Sequence, residues 1–155
     1  PAASRATAAF QKALFGVVLA RPWGAAFWAG YYKKPLNKGH AAPWLDEHVA
    51  AIRANLREPG RLRDFRRLAL QLTHSVVEPR LPQVQAPMIA FVGEFDPDFP
   101  DAAAEADWIE SLGARVVRVS DAAHYPHAQR PDVTVPATLE FLQERRAAGW
   151  AGARA

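Results

Sequence analysis

The sequence predicts an α/β protein, with a helical region over residues 1–80 followed by a β-α-β-α unit of a parallel sheet over residues 81–155. Two observations carry this. After residue 86, short apolar runs that close at a glycine or a turn alternate with stretches of helical spacing, the pattern of parallel strands joined by crossover helices. Before that point the apolar residues step by three or four and are punctuated by Pro and Gly, as in a series of short helices.

Taken in order, residues 9–19 predict a first helix and Arg21-Pro22-Trp23-Gly24 a turn. Residues 25–32 predict an aromatic helix that ends at Lys34-Pro35. Residues 37–43 hold Gly39 and Pro43 and read as a loop. A helix then starts at or beside Asp46, with Leu45, Val49, Ile52 and Leu56 on one face, and Pro59-Gly60 stops it. Leu62, Phe65, Leu68, Ala69 and Leu72 repeat the spacing and predict another helix to about Ser75, before a break at residues 79–87.

Residues 87–93 form an unbroken apolar run closed by Gly93, as expected of a strand buried on both faces. Residues 101–112 predict a helix, with Ala103, Ala106, Ile109 and Leu112 on one side and Gly113 at its end. Residues 115–119 are short and β-branched, a second strand, and residues 131–146 predict a last helix with Val135, Leu139 and Leu142 facing inward.

Composition removes several function classes. The chain has 155 residues, half of them hydrophobic, enough for the core of one ordinary domain. Its net charge of +3 is dispersed, and the arginines between residues 53 and 67 alternate with apolar residues as a solvated helix face does, so no nucleic-acid partner is expected. Cysteine is absent, which excludes disulfides, thiolate chemistry and cysteine metal sites. His40, His48 and His74 have no partners at metal-ligand spacing, so neither a metal nor a cofactor is expected. The apolar stretch 13–20 is too short for a bilayer, and the expectation is a soluble, cytoplasmic chain with no membrane partner.

The chemistry concentrates at the carboxyl ends of the two strands. Gly93-Glu94-Phe95-Asp96-Pro97-Asp98 follows the first, and Asp121-Ala122-Ala123-His124-Tyr125-Pro126 follows the second. Neighbouring parallel strands lie about 5 Å apart, so a carboxylate on one loop reaches an imidazole on the other. A base histidine needs such a partner on one ring nitrogen to fix its tautomer and to stabilise the imidazolium formed at the other. Asp96 and His124 are the candidate pair; Glu94 and Asp98 are rival acids, and His127 is a rival histidine expected at the surface.

These residues carry a resemblance. Ala-Pro-Met-Ile-Ala-Phe-Val-Gly-Glu-Phe-Asp-Pro-Asp-Phe-Pro, from Ala86, is similar to the apolar strand of α/β-hydrolases followed by Gly, two residues and the triad acid. Ala-Ala-His-Tyr-Pro-His-Ala-Gln-Arg-Pro-Asp, from Ala122, resembles the family's histidine loop, with Ala123 where the family usually has Gly. The resemblance implies an incomplete α/β-hydrolase fold, with Asp96 as acid, His124 as histidine and residues 1–80 as a helical cap or lid. It further implies a small-molecule substrate, an ester or a relative, with Trp23, Phe27, Trp28, Tyr31 and Tyr125 as candidate contacts. Tyr32 and Trp44 are further cap aromatics, and sealing the cap against the core is an equally good use of most of them.

The family's nucleophile is missing from this sequence. Gly-x-Ser-x-Gly surrounds none of Ser4, Ser75, Ser111 or Ser120, and the strained elbow requires those glycines. In this family the nucleophile precedes acid and histidine, so the expectation is a C-terminal piece whose partner is the missing N-terminal half of the core. Whether the nucleophile is Ser or Asp stays open. The alternative is a noncatalytic hydrolase-like half-domain that pairs with another chain. In either case two strands without sheet neighbours leave an apolar edge, and the isolated chain is expected to be poorly soluble, oligomeric or partner-dependent.

Overall fold

The computed structural model describes residues 13–72 and 76–149. Residues 9–12 of the first predicted helix, together with Ser4, His74 and Ser75, lie outside them. The chain divides into two compact units, one of Pro1–Lys34 with Pro43–Glu78 and one of Pro35–Ala42 with Pro79–Ala155.

The first unit is helical. Residues 13–18 are helical and lead through a turn into α1 (Gly24–Lys33), followed by α2 (Leu45–Arg57) and α3 (Arg61–Gln71). Charge supports the ends: Lys33 and Arg57 stand in the last turns of α1 and α2, and Asp46 and Glu47 in the first turn of α2, where each sign opposes the helix dipole. Ala25 and Ala29, one turn apart and both buried, let α2 approach α1 closely, and Leu45, Leu56 and Leu62 fill the remaining core. The stripe predicted on α3 is only half used. Leu62 is buried, but Leu68 and Leu72 are exposed and the helix ends at Gln71; the turns between are met by the helical residues 13–18, where Arg66 Nε donates to Gly16 O at 2.7 Å.

The second unit holds a 3-10 turn (Glu78–Gln83), then β1 (Ile89–Gly93), α4 (Ala102–Ser111), β2 (Arg115–Val119), a single turn α5 (Pro126–Gln129) and α6 (Pro131–Ala147). The strands pair in parallel, in register from Ile89 with Arg115 to Gly93 with Val119, so both carboxyl ends lie on one rim. Asp101 starts α4 by accepting from the amides of Ala103 and Ala104, each at 3.0 Å. Neither the 3-10 turn nor α5 is expected from periodicity, since a single turn has too few residues to show one.

Burial departs from expectation in three places. The strand β1 is not buried on both faces: Val92 and Gly93 are buried, but Ile89, Ala90 and Phe91 are half-buried, because one partner strand and few helices surround it here. On α4, Ala106 is buried while Ala103 is exposed. On α6, Thr134 and Phe141 face the core, whereas Val135 and Leu139 are 52% and 54% exposed and Leu142 is also exposed. Thr134 and Phe141 are two turns apart on the face that meets the strands; the adjacent apolar stripe has no described element over it. No helix among the described residues is long and apolar enough to cross a membrane.

Candidate active site

The site begins at the end of β1. Beyond Gly93 the chain stays bonded to the loop after β2, as Glu94 N donates to Val119 O at 3.0 Å and Phe95 N to Ala122 O at 2.9 Å. The two loops touch at Gly93 itself. A Cβ there would lie 2.0 Å from Ala123 O and 2.8 Å from Ala122 O, so only glycine lets the backbones pass. Ala122 and Ala123 are fully buried beneath this crossing, and the methyl of Ala123 is accommodated where the resemblance leads one to expect glycine.

On this base Asp96 and His124 meet. His124 Nδ1 lies 3.1 Å from Oδ1 and 3.1 Å from Oδ2 of Asp96. In the tautomer that donates from Nδ1 to this carboxylate, Nε2 keeps its lone pair. The Asp96 carboxylate is 8% exposed and also accepts from Asp98 N at 3.0 Å, so it is held in place as well as sheltered.

The rival acids separate by geometry. Asp98 Oδ2 stands 3.4 Å from Nδ1 with its side chain 50% exposed, a longer and wetter contact. Glu94 points elsewhere and accepts from Asp121 N at 3.2 Å, which ties the two loops together. His127 is exposed, its ring 6.1 Å from that of Tyr125. The ligand atoms of Asp96, Asp98 and His124 all lie within 4.8 Å of one another, the described set whose chemistry suits a cation, although sequence spacing leads to the expectation of none.

The aromatic candidates divide between the units. Tyr125 stands edge-on to His124, with ring centroids 4.9 Å apart. Trp23, Phe27, Trp28 and Tyr31 belong to the helical unit. Trp28 packs between Tyr31 at 5.7 Å and Phe65 at 4.7 Å, Phe27 stacks on Tyr31 at 6.3 Å, and Trp23 Nε1 donates to Val17 O at 3.0 Å. Tyr32 and Trp44 both flank His48. These contacts give each ring a packing role within its unit. A hollow of about 280 Å³ opens at the strand ends, between residues 92–94, 101–103 and 118–120, and neither Asp96 nor His124 lines it.

Sequence reasoning missed two parts of the site. His124 N donates to Leu36 O at 3.1 Å, and the side chain of Gln129 joins Ala123 N to the carbonyls of Lys38 and His40. Gln129 and Lys38 are 91 positions apart, so no local spacing links them. The one legible hint is Gly39 in the predicted loop 37–43, which the structure holds at φ +96°.

Two solved structures are similar to this chain. A thermophilic esterase from Thermogutta terrifontis, with malate bound, superposes with a TM-score of 0.56 at 20% identity over 93% of this chain and 52% of its own. What the likeness shows is a shared, partial α/β fold. Est816, an N-acyl homoserine lactone degrading enzyme, superposes with a TM-score of 0.52 at 20% identity, over 82% of this chain and 50% of its own. The chain therefore spans about half the length of the two enzymes it matches. No family model matches the sequence, and no curated protein matches it.

Proposed function

We propose that this chain is the acid- and histidine-bearing part of an α/β-fold hydrolase that cleaves an ester or a related bond of a small molecule. One observation carries the reading: a sheltered carboxylate spans His124 Nδ1 with both oxygens at 3.1 Å, at the carboxyl rim of a parallel sheet. His124 Nε2 takes the proton of a nucleophile supplied by a part of the protein outside this sequence. That nucleophile attacks the carbonyl carbon, and His124 returns the proton to the leaving oxygen. Asp96 holds the Nδ1 proton throughout and stabilises the imidazolium between the two transfers. In this reading the helical region is the cap, Trp23, Phe27, Trp28 and Tyr31 are its candidate substrate contacts, and Tyr125 is the candidate beside the histidine.

The test uses a longer polypeptide that includes the nucleophile and follows release of the chromophore from a chromogenic short-chain ester. His124→Ala is expected to abolish turnover, and Asp96→Asn to reduce it by up to about 10⁴-fold through the wrong tautomer. Unchanged rates in both variants would refute the assignment. The uncovered stripe Val135, Leu139 and Leu142 keeps a second reading in view, a noncatalytic half-domain that pairs with another chain. That reading gains if the unmutated longer polypeptide turns over no ester while still forming the paired assembly.

A further inference from the structure

We infer that Gln129 is a positioning residue for His124, acting by locking residues 35–42 against the turn that carries the imidazole. The inference rests on the reading of His124 as the base, but its geometry is independent of the reaction. The Gln129 side chain is 1% exposed, and a primary amide buried that deeply costs stability unless each of its groups is paired. Here each is. Oε1 accepts from Ala123 N at 2.8 Å, and the two Nε2 protons go to Lys38 O at 2.9 Å and His40 O at 3.0 Å.

The consequence falls on His124. Two successive amides, Ala123 N and His124 N, are tied to the same segment, one through Gln129 and the other directly to Leu36 O at 3.1 Å. A third tie, His40 N to Asp121 O at 2.8 Å, closes beside Gly39, where a Cβ would meet Asp121 O at 2.5 Å. On the opposite side the carbonyls of Ala122 and Ala123 rest on Gly93. The turn is thus gripped between the end of β1 and residues 35–42, and only the side-chain torsions of His124 remain to be set by Asp96. Displacements near 1 Å in such a site cost rate by about two orders of magnitude, so the grip bears on chemistry as well as on stability.

The experiment uses the longer, nucleophile-bearing polypeptide of the turnover test, because the chain by itself is expected to depend on a partner. Native-state amide exchange is measured at Ala123 and His124 against Val92 and Val119, and the imidazole nitrogens of His124 are read by ¹⁵N NMR. Gln129→Leu keeps the volume and removes all three bonds. It should speed exchange at Ala123 and His124 by about tenfold more than at the strand amides, and turn a single Nδ1-protonated tautomer into a mixture. Gln129→Glu keeps the acceptor for Ala123 N and loses both donors, so it should retain protection at Ala123 and disturb the His124 spectrum less. Equal acceleration at all four amides, or an unchanged His124 spectrum in folded Gln129→Leu, overturns the inference in favour of a purely structural role. Should Gln129→Leu fail to fold, an unchanged His124 spectrum in Gln129→Glu overturns it and an altered one supports it. Neither readout uses ester turnover, so a failure of the catalytic reading would show separately.

Discussion

Replacing Gly93 by alanine adds one methyl group where the two active loops cross. That methyl carbon would lie 2.0 Å from Ala123 O, whereas real Cβ contacts stay beyond 3.0 Å, so one backbone must retreat by about 1 Å. The nearest tie is Phe95 N to Ala122 O at 2.9 Å, and a shift of that size stretches it past bonding range. Overpacking costs about 1–3 kcal/mol and the broken backbone bond about 1 kcal/mol, giving roughly 2–4 kcal/mol in all. For a chain of this size that corresponds to a fall in Tm of about 5–15 °C. Thermal unfolding followed by circular dichroism measures it. The displaced carbonyl belongs to the residue before His124, so the 3.1 Å contacts to Asp96 should be lost as well, and with them turnover in a longer, nucleophile-bearing polypeptide. A Gly93→Ala chain that melts within about 2 °C of the parent, or keeps its ester turnover, would refute the close-approach reasoning.

The remaining predictions concern the rival acid, a charge pair and the uncovered stripe. Asp98→Asn should change ester turnover by less than about threefold while Asp96→Asn removes most of it, because Asp98 is half exposed and farther from Nδ1; equal losses would move the acid role to the pair. The Arg115 guanidinium, bonded to Glu144, holds that carboxyl below the ordinary glutamate value. With the folded value depressed, the pair's contribution is present above the unfolded value and is lost as pH falls through the folded one. Arg115→Gln should therefore flatten the acid limb of the stability profile, read as unfolding midpoints across the carboxylate range. An identical limb in the variant would remove the pair from the account. Leu139 is 54% exposed on α6, so Leu139→Lys should shift the chain toward monomer in sedimentation velocity without lowering its melting temperature; unchanged self-association would clear the stripe of that role.

Much of the site was legible because its spacing is local. Gly93 and Asp96 are fixed by the run that precedes them, and His124 by its place after a β-branched segment; parallel pairing then brings the two loops to one rim. Local spacing left Asp96, Asp98 and Glu94 open, since all three share one short loop, and the choice of Asp96 came from the hydrolase resemblance. Burial and hydrogen bonding separate them. The inward face of α6 was misread for a related reason. Periodicity marks an apolar stripe, but what covers it depends on neighbours, and Phe141 rather than Leu139 meets the strands.

Residue order alone determined the alternation of strand and helix, the places where Asp96 and His124 leave the sheet, and the absence of a glycine-flanked serine. Those are properties of contiguous residues, set by apolar period and backbone permissiveness. Only the tertiary structure decided that residues 35–42 return to brace the histidine turn and that Gln129 binds them there. A hydrogen bond between groups 91 positions apart leaves no trace in local pattern, because it exists only once the intervening chain has folded.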